Sequence, residues 1–437
     1  MAKKSSTVNK GVKKNSDQLS VISDQTIARV RDLAWTGQHA QAIDLASQAL
    51  SKAAGKSDWQ SDLLDLRAES YLAIGKLDLA SKDAQAMTKI GRTSKVKGLQ
   101  AQALNRLALV QMRRGDLKAA VKSAKSAVSK SEFNSDLRAE SLFRLSEAQH
   151  RTGEEEAAIE TAQKAIALFQ AIGDNSGAGR GYWLLALAYM RLRAEDSRRA
   201  ARTALELCNQ AGDQYGIGNA LVALANTDVD IAENIQNLQQ ARQAFETVGY
   251  VERQSITLIN LGFAYLDLGL YPHSRRLQNQ AVEMTRAMGA KLGLTYALAN
   301  LINLELILGA LDEVRLHLQE FEKLVPDLGD PTQESTLFAA RAELALAAGD
   351  FKTAIRDQQS ALKIDQEAQT GNEHATLTEL GKMYLAAHNP AAALKATTKA
   401  TNLHRAQSFA KPDGFPSQAI WWQHAQALNA NQKTKEA

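Results

Sequence analysis

The sequence predicts an all-α chain of stacked helical hairpins, and three observations predict it. Turn residues recur at steps of about 38 to 40 positions, alanines follow them at fixed offsets, and aromatics make up only 5% of the residues. A period of that size is the mark of helical solenoids, which lengthen by adding units rather than by enlarging one core. All six prolines, Pro272, Pro326, Pro331, Pro390, Pro412 and Pro416, suit turns or connections. None precedes residue 272, which leaves a turn-rich β fold without support.

Taken in order, residues 1–22 form a basic tail. MAKKSSTVNKGVKKNS holds five lysines, no acid and almost no apolar residue, so it is expected to be disordered. It has no apolar run and does not read as a secretory signal. Residues 23–410 form the repeats, whose turns fall at Gly37, Gly75, Gly115, Gly153, near Arg193, near Asp230, and at Gly269, Gly309, Gly349 and His388. Ala42, Ala46 and Ala49 follow Gly37; Ala120, Ala124 and Ala127 follow Gly115; Ala158, Ala162 and Ala165 follow Gly153. Side chains this small let two helices approach closely while Leu, Ile and Phe fill the grooves between them. Residues 411–437 read as a linker, a capping helix and a short tail. There Ser417 is expected to cap the helix, with Trp421, Ala425 and Leu428 covering the last unit.

One stretch, Asn260 to Ala281, shows the unit most clearly. Leu261, Ala264, Tyr265 and Leu268 keep amphipathic helical spacing. Gly269 supplies a helix exit, and Pro272 suits the first turn of the next helix. A hairpin of this kind cannot bury its own apolar face, so it needs neighbours on both sides.

The pattern resembles the tetratricopeptide repeat in its longer version of about forty residues, known from bacterial regulator sensor modules, kinesin light chains and spindle-orientation adaptors. The resemblance runs from about Gln25 to Ala406. It implies a right-handed superhelical solenoid of about ten helix–turn–helix repeats plus a C-terminal capping helix. Val314 and Ser274 stand where the family prefers alanine, and the turns near Arg193 and Asp230 lack glycine. The resemblance also implies that first helices line a concave groove. Asn260 and Asn300 match the position where an amide grips a ligand's backbone, because an amide both donates and accepts. Phe263, Tyr296 and Asn303 should lie beside them, with Arg180, Trp183 and Asn226 as further groove candidates.

Catalytic chemistry finds little footing. Cys208 sits at a helix-packing position with no basic neighbour in sequence, so a buried structural thiol is expected. The eight histidines share no metal-ligand spacing. Gly177-Ala178-Gly179-Arg180-Gly181 lacks the strand and lysine of a phosphate loop and reads as a connection running into a helix start. The single cysteine cannot build a disulfide framework. No segment approaches a membrane span. The expectation is therefore a cytoplasmic, non-enzymatic chain with no metal and no cofactor.

The net charge of +4 is owed to the tail; the remainder is near neutral but unevenly arranged. From Lys89 to Lys130 there are eleven Lys or Arg and one acid, whereas Glu305 to Asp350 holds ten acids against three basic residues. Lys89, Arg92, Lys95, Lys97, Arg113, Arg114, Lys118, Lys122 and Lys125 form a candidate basic patch. Phosphate binding would exploit such a patch, but no aromatic lies among these residues for stacking on bases. The function expected is an adaptor or scaffold that binds a peptide or protein partner in the groove, with nucleic acid a poor candidate. Two alternatives are a sensory or regulatory repeat subunit of a bacterial signalling or transcription system, and a nucleic-acid-associated protein using residues 89–130.

Overall fold

The computed structural model describes residues 24–53, 55–190, 193–227, 230–406 and 415–433. The basic tail expected over 1–22, most of the linker after residue 410 and the last four residues lie outside the described residues.

Helical hairpins follow one another along the described residues. They pair α1 (24–35) with α2 (His39–Lys52), α3 (Ser57–Ala73) with α4 (Leu77–Ser94), and α5 (Lys97–Arg114) with α6 (Leu117–Lys130). Next come α7 (Ser135–Arg151) with α8 (Glu155–Ala171), α9 (Asn175–Tyr189) with α10 (Ala194–Ala211), and α11 (Gln214–Thr227) with α12 (Ile231–Thr247). Then α13 (Val251–Asp267) and α14 (Tyr271–Met288) follow, and after them α15 (Lys291–Leu308) pairs with α16 (Leu311–Leu324), α17 (Pro331–Ala347) with α18 (Phe351–Ala368), and α19 (Glu373–Ala386) with α20 (Pro390–Ala406). A final helix, α21 (Ser417–Ala430), closes the series. No strand occurs among the described residues.

The chain divides into two compact units. Unit 1 takes in the described residues through Ala264 together with Met284–Ala290; unit 2 holds Tyr265–Glu283 and the chain from Lys291 on. In unit 1 each helix from α2 to α12 packs on the next, and α3, α5, α7, α9 and α11 also run side by side as one layer. In unit 2 each helix from α15 to α20 packs on the next, and α15 also packs on α17. The repeated alanines do the work their spacing predicts. Ala42, Ala46, Ala120, Ala124, Ala127, Ala158, Ala165, Ala354 and Ala361 are all fully buried, as are Val314 and Ser274 where alanine was expected. His388 takes φ +56 at the last turn, the left-handed backbone that glycine supplies elsewhere.

Three expectations need correcting. Gly177, Gly179 and Gly181 lie inside α9 rather than in a connection. A Cβ there would run into Phe169, Cys208 Sγ and Ile166, so the glycines let α9 press against α8 and α10. Ser417 is the first residue of α21 and makes no side-chain cap; Pro416 stands at the cap position. The buried residues of α21 are Ile420, Ala427 and Leu428, with Trp421 half-buried and Trp422 64% exposed. Trp421 still anchors the cap, because its indole N–H donates to His404 Nδ1 at 3.1 Å. Third, α15 is the one helix among the described residues long and apolar enough, by length and composition, to cross a membrane. Its Leu294, Leu298, Leu301, Ile302 and Leu304 are buried in the fold, in a helix that packs on α16 and α17.

Candidate functional site

In unit 1 the first helices α3, α5 and α7 each carry a stripe of one side chain per turn along the inner face that they share. On α3 the stripe is Asp58, Asp62, Asp65 and Glu69, four carboxylates at helical spacing. On α5 it is Gln102, Arg106, Leu109 and Arg113, and on α7 Glu140, Arg144, Glu147 and Arg151. These stripes meet as ion pairs. Arg106 Nε lies 2.6 Å from Asp65, and its Nη2 lies 3.4 Å from Glu69. Arg113 bridges Glu147 at 3.3 Å and Glu252 at 3.0 Å, and Arg144 bridges Glu140 at 2.8 Å and Glu147 at 3.2 Å.

Glu147, 3% exposed at its side chain, is the hub. Burial works to raise its pKa. The guanidinium groups of Arg113, Arg151, Arg144 and Arg253 outweigh that and bring it to about 2. On α9, Arg180 grips Asp213 with two hydrogen bonds of 2.6 and 3.0 Å, and Asp213 also accepts from Ser176 and from the Gly216 N–H. Every buried charge here has a partner, as low-dielectric surroundings demand.

Unit 1 also closes on itself. The turn of the first hairpin meets the end of α12: His39 Nε2 lies 2.7 Å from the Val248 carbonyl, and its ring meets Tyr250 edge-on. Tyr250 O–H in turn donates to Glu69 at 3.2 Å. Gly37, at φ +78, makes the approach possible, because a methyl group there would sit 2.6 Å from the Thr247 oxygen. Burial keeps the His39 imidazole below its usual pKa, although the bond to Val248 favours the charged form.

Two cavities adjoin this inner face and share Arg31, Asp62, Asp65 and Gln102. One, of about 320 Å³, is bounded by the closing contact and includes Trp35, Glu69, Arg180, Asp213, Val248 and Tyr250 in its lining. The other, of about 710 Å³, lies among α1, α3, α5 and α7 and includes Asp58, Leu99, Asn105, Arg106, Asp136 and Arg144. Their volumes fall within the range typical of ligand sites, about 300 to 1,000 Å³.

Residues 139–171, which make up most of α7 and α8, match the family model described as tetratricopeptide repeat. That segment is a tetratricopeptide repeat, and the helical hairpins before and after it are built in the same way. Among solved structures the chain is similar to a Rap protein complexed with competence and sporulation factor, at TM-score 0.56 and 16% identity over 80% of this chain and 98% of that one. It is also similar to aspartyl phosphate phosphatase F from Bacillus subtilis, at TM-score 0.52 and 14% identity over 80% and 94%. At these identities the likeness is one of fold. No curated protein sequence matches the chain.

Within this tetratricopeptide-repeat framework the residues singled out from sequence fall into three groups. Tyr296, Asn300 and Asn303 do lie on one face of α15 in unit 2; Tyr296 and Asn303 are exposed and Asn300 half-buried. Asn260 and Phe263 are half-buried on α13, and Asn226 is exposed near the end of α11. Arg180 lines the smaller cavity, but Trp183 is buried beneath the Arg253 guanidinium and is closed to a partner.

In the basic patch, Lys89, Arg92, Lys95, Lys97, Lys118, Lys122 and Lys125 are exposed, and Arg114 pairs with Asp78. Arg113 does not belong with them. Its side chain is 7% exposed and committed to Glu147 and Glu252, so the basic surface is smaller than the sequence predicted. Burial pushes the Cys208 thiol up to about 12, consistent with a packing role.

Sequence reasoning missed the α3 carboxylate stripe with its partner Arg106, and Arg144 with its partners Glu140 and Glu147. The signal was present: residues nine and thirteen positions before Gly115 and Gly153 are Arg106 and Gln102, then Arg144 and Glu140.

Proposed function

We propose that this chain is a non-catalytic cytoplasmic adaptor that binds a peptide or protein segment along the inner face of its first helices, with unit 1 holding the principal site. The observation that carries this reading is the pair of adjoining cavities lined by charged and amide side chains from α1, α3, α5 and α7. Such a lining offers both donors and acceptors to a peptide backbone. The Rap protein complexed with competence and sporulation factor has the same fold and supports the reading by analogy. The α15 face with Tyr296, Asn300 and Asn303, and Asn260 on α13, are proposed as secondary partner contacts.

Titration of labelled octapeptide pools against the full chain by fluorescence polarisation tests this. Saturable binding is expected, and its absence from every pool would contradict the reading. The fold likeness to aspartyl phosphate phosphatase F makes acyl phosphate hydrolysis worth measuring in parallel. Turnover of acetyl phosphate by the purified chain would contradict the non-catalytic assignment.

A second reading, a regulatory repeat subunit, is favoured by the position of the smaller cavity. Trp35 from the first hairpin and Val248 and Tyr250 from beyond α12 line it together, so an occupant there would bear on the closing contact of unit 1.

A further inference from the structure

The larger cavity of unit 1 has a surplus of acceptors. Five carboxylates line it against three guanidinium groups, an excess of two negative charges. The pairs Arg106 with Asp65 and Arg144 with Glu140 are satisfied internally and cancel. That leaves Asp58, Asp62 and Asp136 on the acid side and Arg31 on the other.

Asp62 accepts one bond, from Gln102 at 3.0 Å, and among the described residues neither Asp58 nor Asp136 is in an ion pair. A separate observation agrees. Asn105 is only 5% exposed and lines the same cavity, and its amide donates to Ser141 Oγ at 3.0 Å. Its Oδ1 has no partner among the described residues. A buried acceptor left unmet costs free energy that a donor-bearing ligand would recover.

We infer that this cavity receives a basic side chain, an arginine or lysine, of a peptide ligand; the inference rests on the peptide-binding reading above. A guanidinium or ammonium group carries only donors and answers both the charge excess and the open Asn105 acceptor. Val96, Leu99, Leu109 and Leu137 supply apolar wall for its aliphatic stem. A phosphate-bearing ligand would meet the wrong sign of charge. A metal ion is not favoured, because among the described residues no three His, Cys, Asp or Glu side chains converge as ligands.

The test uses the full chain and fluorescein-labelled octapeptide pools, each with Arg, Lys, Gln or Glu fixed at one position. Pools fixed as Arg or Lys should bind roughly tenfold tighter than the Gln pools, and the margin should shrink with added salt. The doubly substituted chain Asp58→Asn/Asp136→Asn, altered only at exposed positions, should lose most of that margin while keeping its melting temperature. Asp62→Asn should do the same. If pools bind but Arg and Gln are equal, the basic-residue inference falls while the peptide reading stands. If the Arg preference survives in both variants, the cavity is the wrong place. If no pool binds, the peptide reading itself fails and takes this inference with it.

Discussion

Glu147 in unit 1 and Glu343 in unit 2 occupy the same register, six residues before the turn glycines Gly153 and Gly349, yet their carboxyl groups are driven in opposite directions. Four arginines surround Glu147 and bring it to about 2 despite its burial. Burial and the neighbouring Glu379 push Glu343 up to about 7, with Lys382, 2.9 Å from both, only partly offsetting them. The repeat fixes where a first-helix side chain points. The neighbouring repeats decide what that position does. In unit 1 the inner face is a network of ion pairs beside two cavities; in unit 2 the same positions carry Asn303, Glu343 and Lys382.

The sharpest way to break this comparison is to neutralise both acids. Glu147→Gln leaves several buried guanidinium groups undercompensated and should cost about 3–5 kcal/mol in chemical denaturation. Glu343→Gln should cost little, and above pH 7 it should stabilise. Equal losses from the two would contradict the contrast.

Next in size is the closing contact of unit 1. Gly37→Val combines strain at φ +78 with collision against Thr247 and Val248. It should cost about 2–3 kcal/mol and raise amide exchange at the end of α12. Unchanged exchange there would mean that the contact is not held in solution.

The pH dependences should also diverge. Glu343 keeps its proton in the folded state up to about 7, whereas an unfolded glutamate releases it in the ordinary carboxylate range. Its contribution therefore favours folding at low pH and is lost as pH rises through about 7. Glu147 does the reverse: its contribution is present above the ordinary carboxylate range and is lost as pH falls toward about 2. Stability–pH curves of the Glu147→Gln and Glu343→Gln chains should each lose one of these slopes. The smallest effect is expected at the exposed Asn303, where Asn303→Ala should change stability by no more than about 0.5 kcal/mol.

Much of this was legible in the sequence. The turn spacing located the helix–turn–helix units, the alanine offsets marked the buried seams that follow Gly37, Gly115 and Gly153, and the KPDGFPS segment announced a terminal helix. What escaped was non-local. Arg113 looked like surface charge beside Lys118 and Lys122. Its partners Glu147 and Glu252 stand one repeat and more than three repeats away, and no local pattern ties them together. Trp183 looked like a groove residue, because nothing in its own helix reveals that Arg253 lies over it. The first hairpin's return to residues 248–250 was equally hidden, since it depends on curvature summed over six repeats.

On the proposed function, a partner peptide sits on the charged inner face of unit 1. Amide hydrogen exchange of the full chain, with and without a saturating Arg-fixed octapeptide pool, measures this directly. New protection is expected on α3, α5 and α7, with none on α17 and α19. Protection confined to α17 and α19 would contradict it.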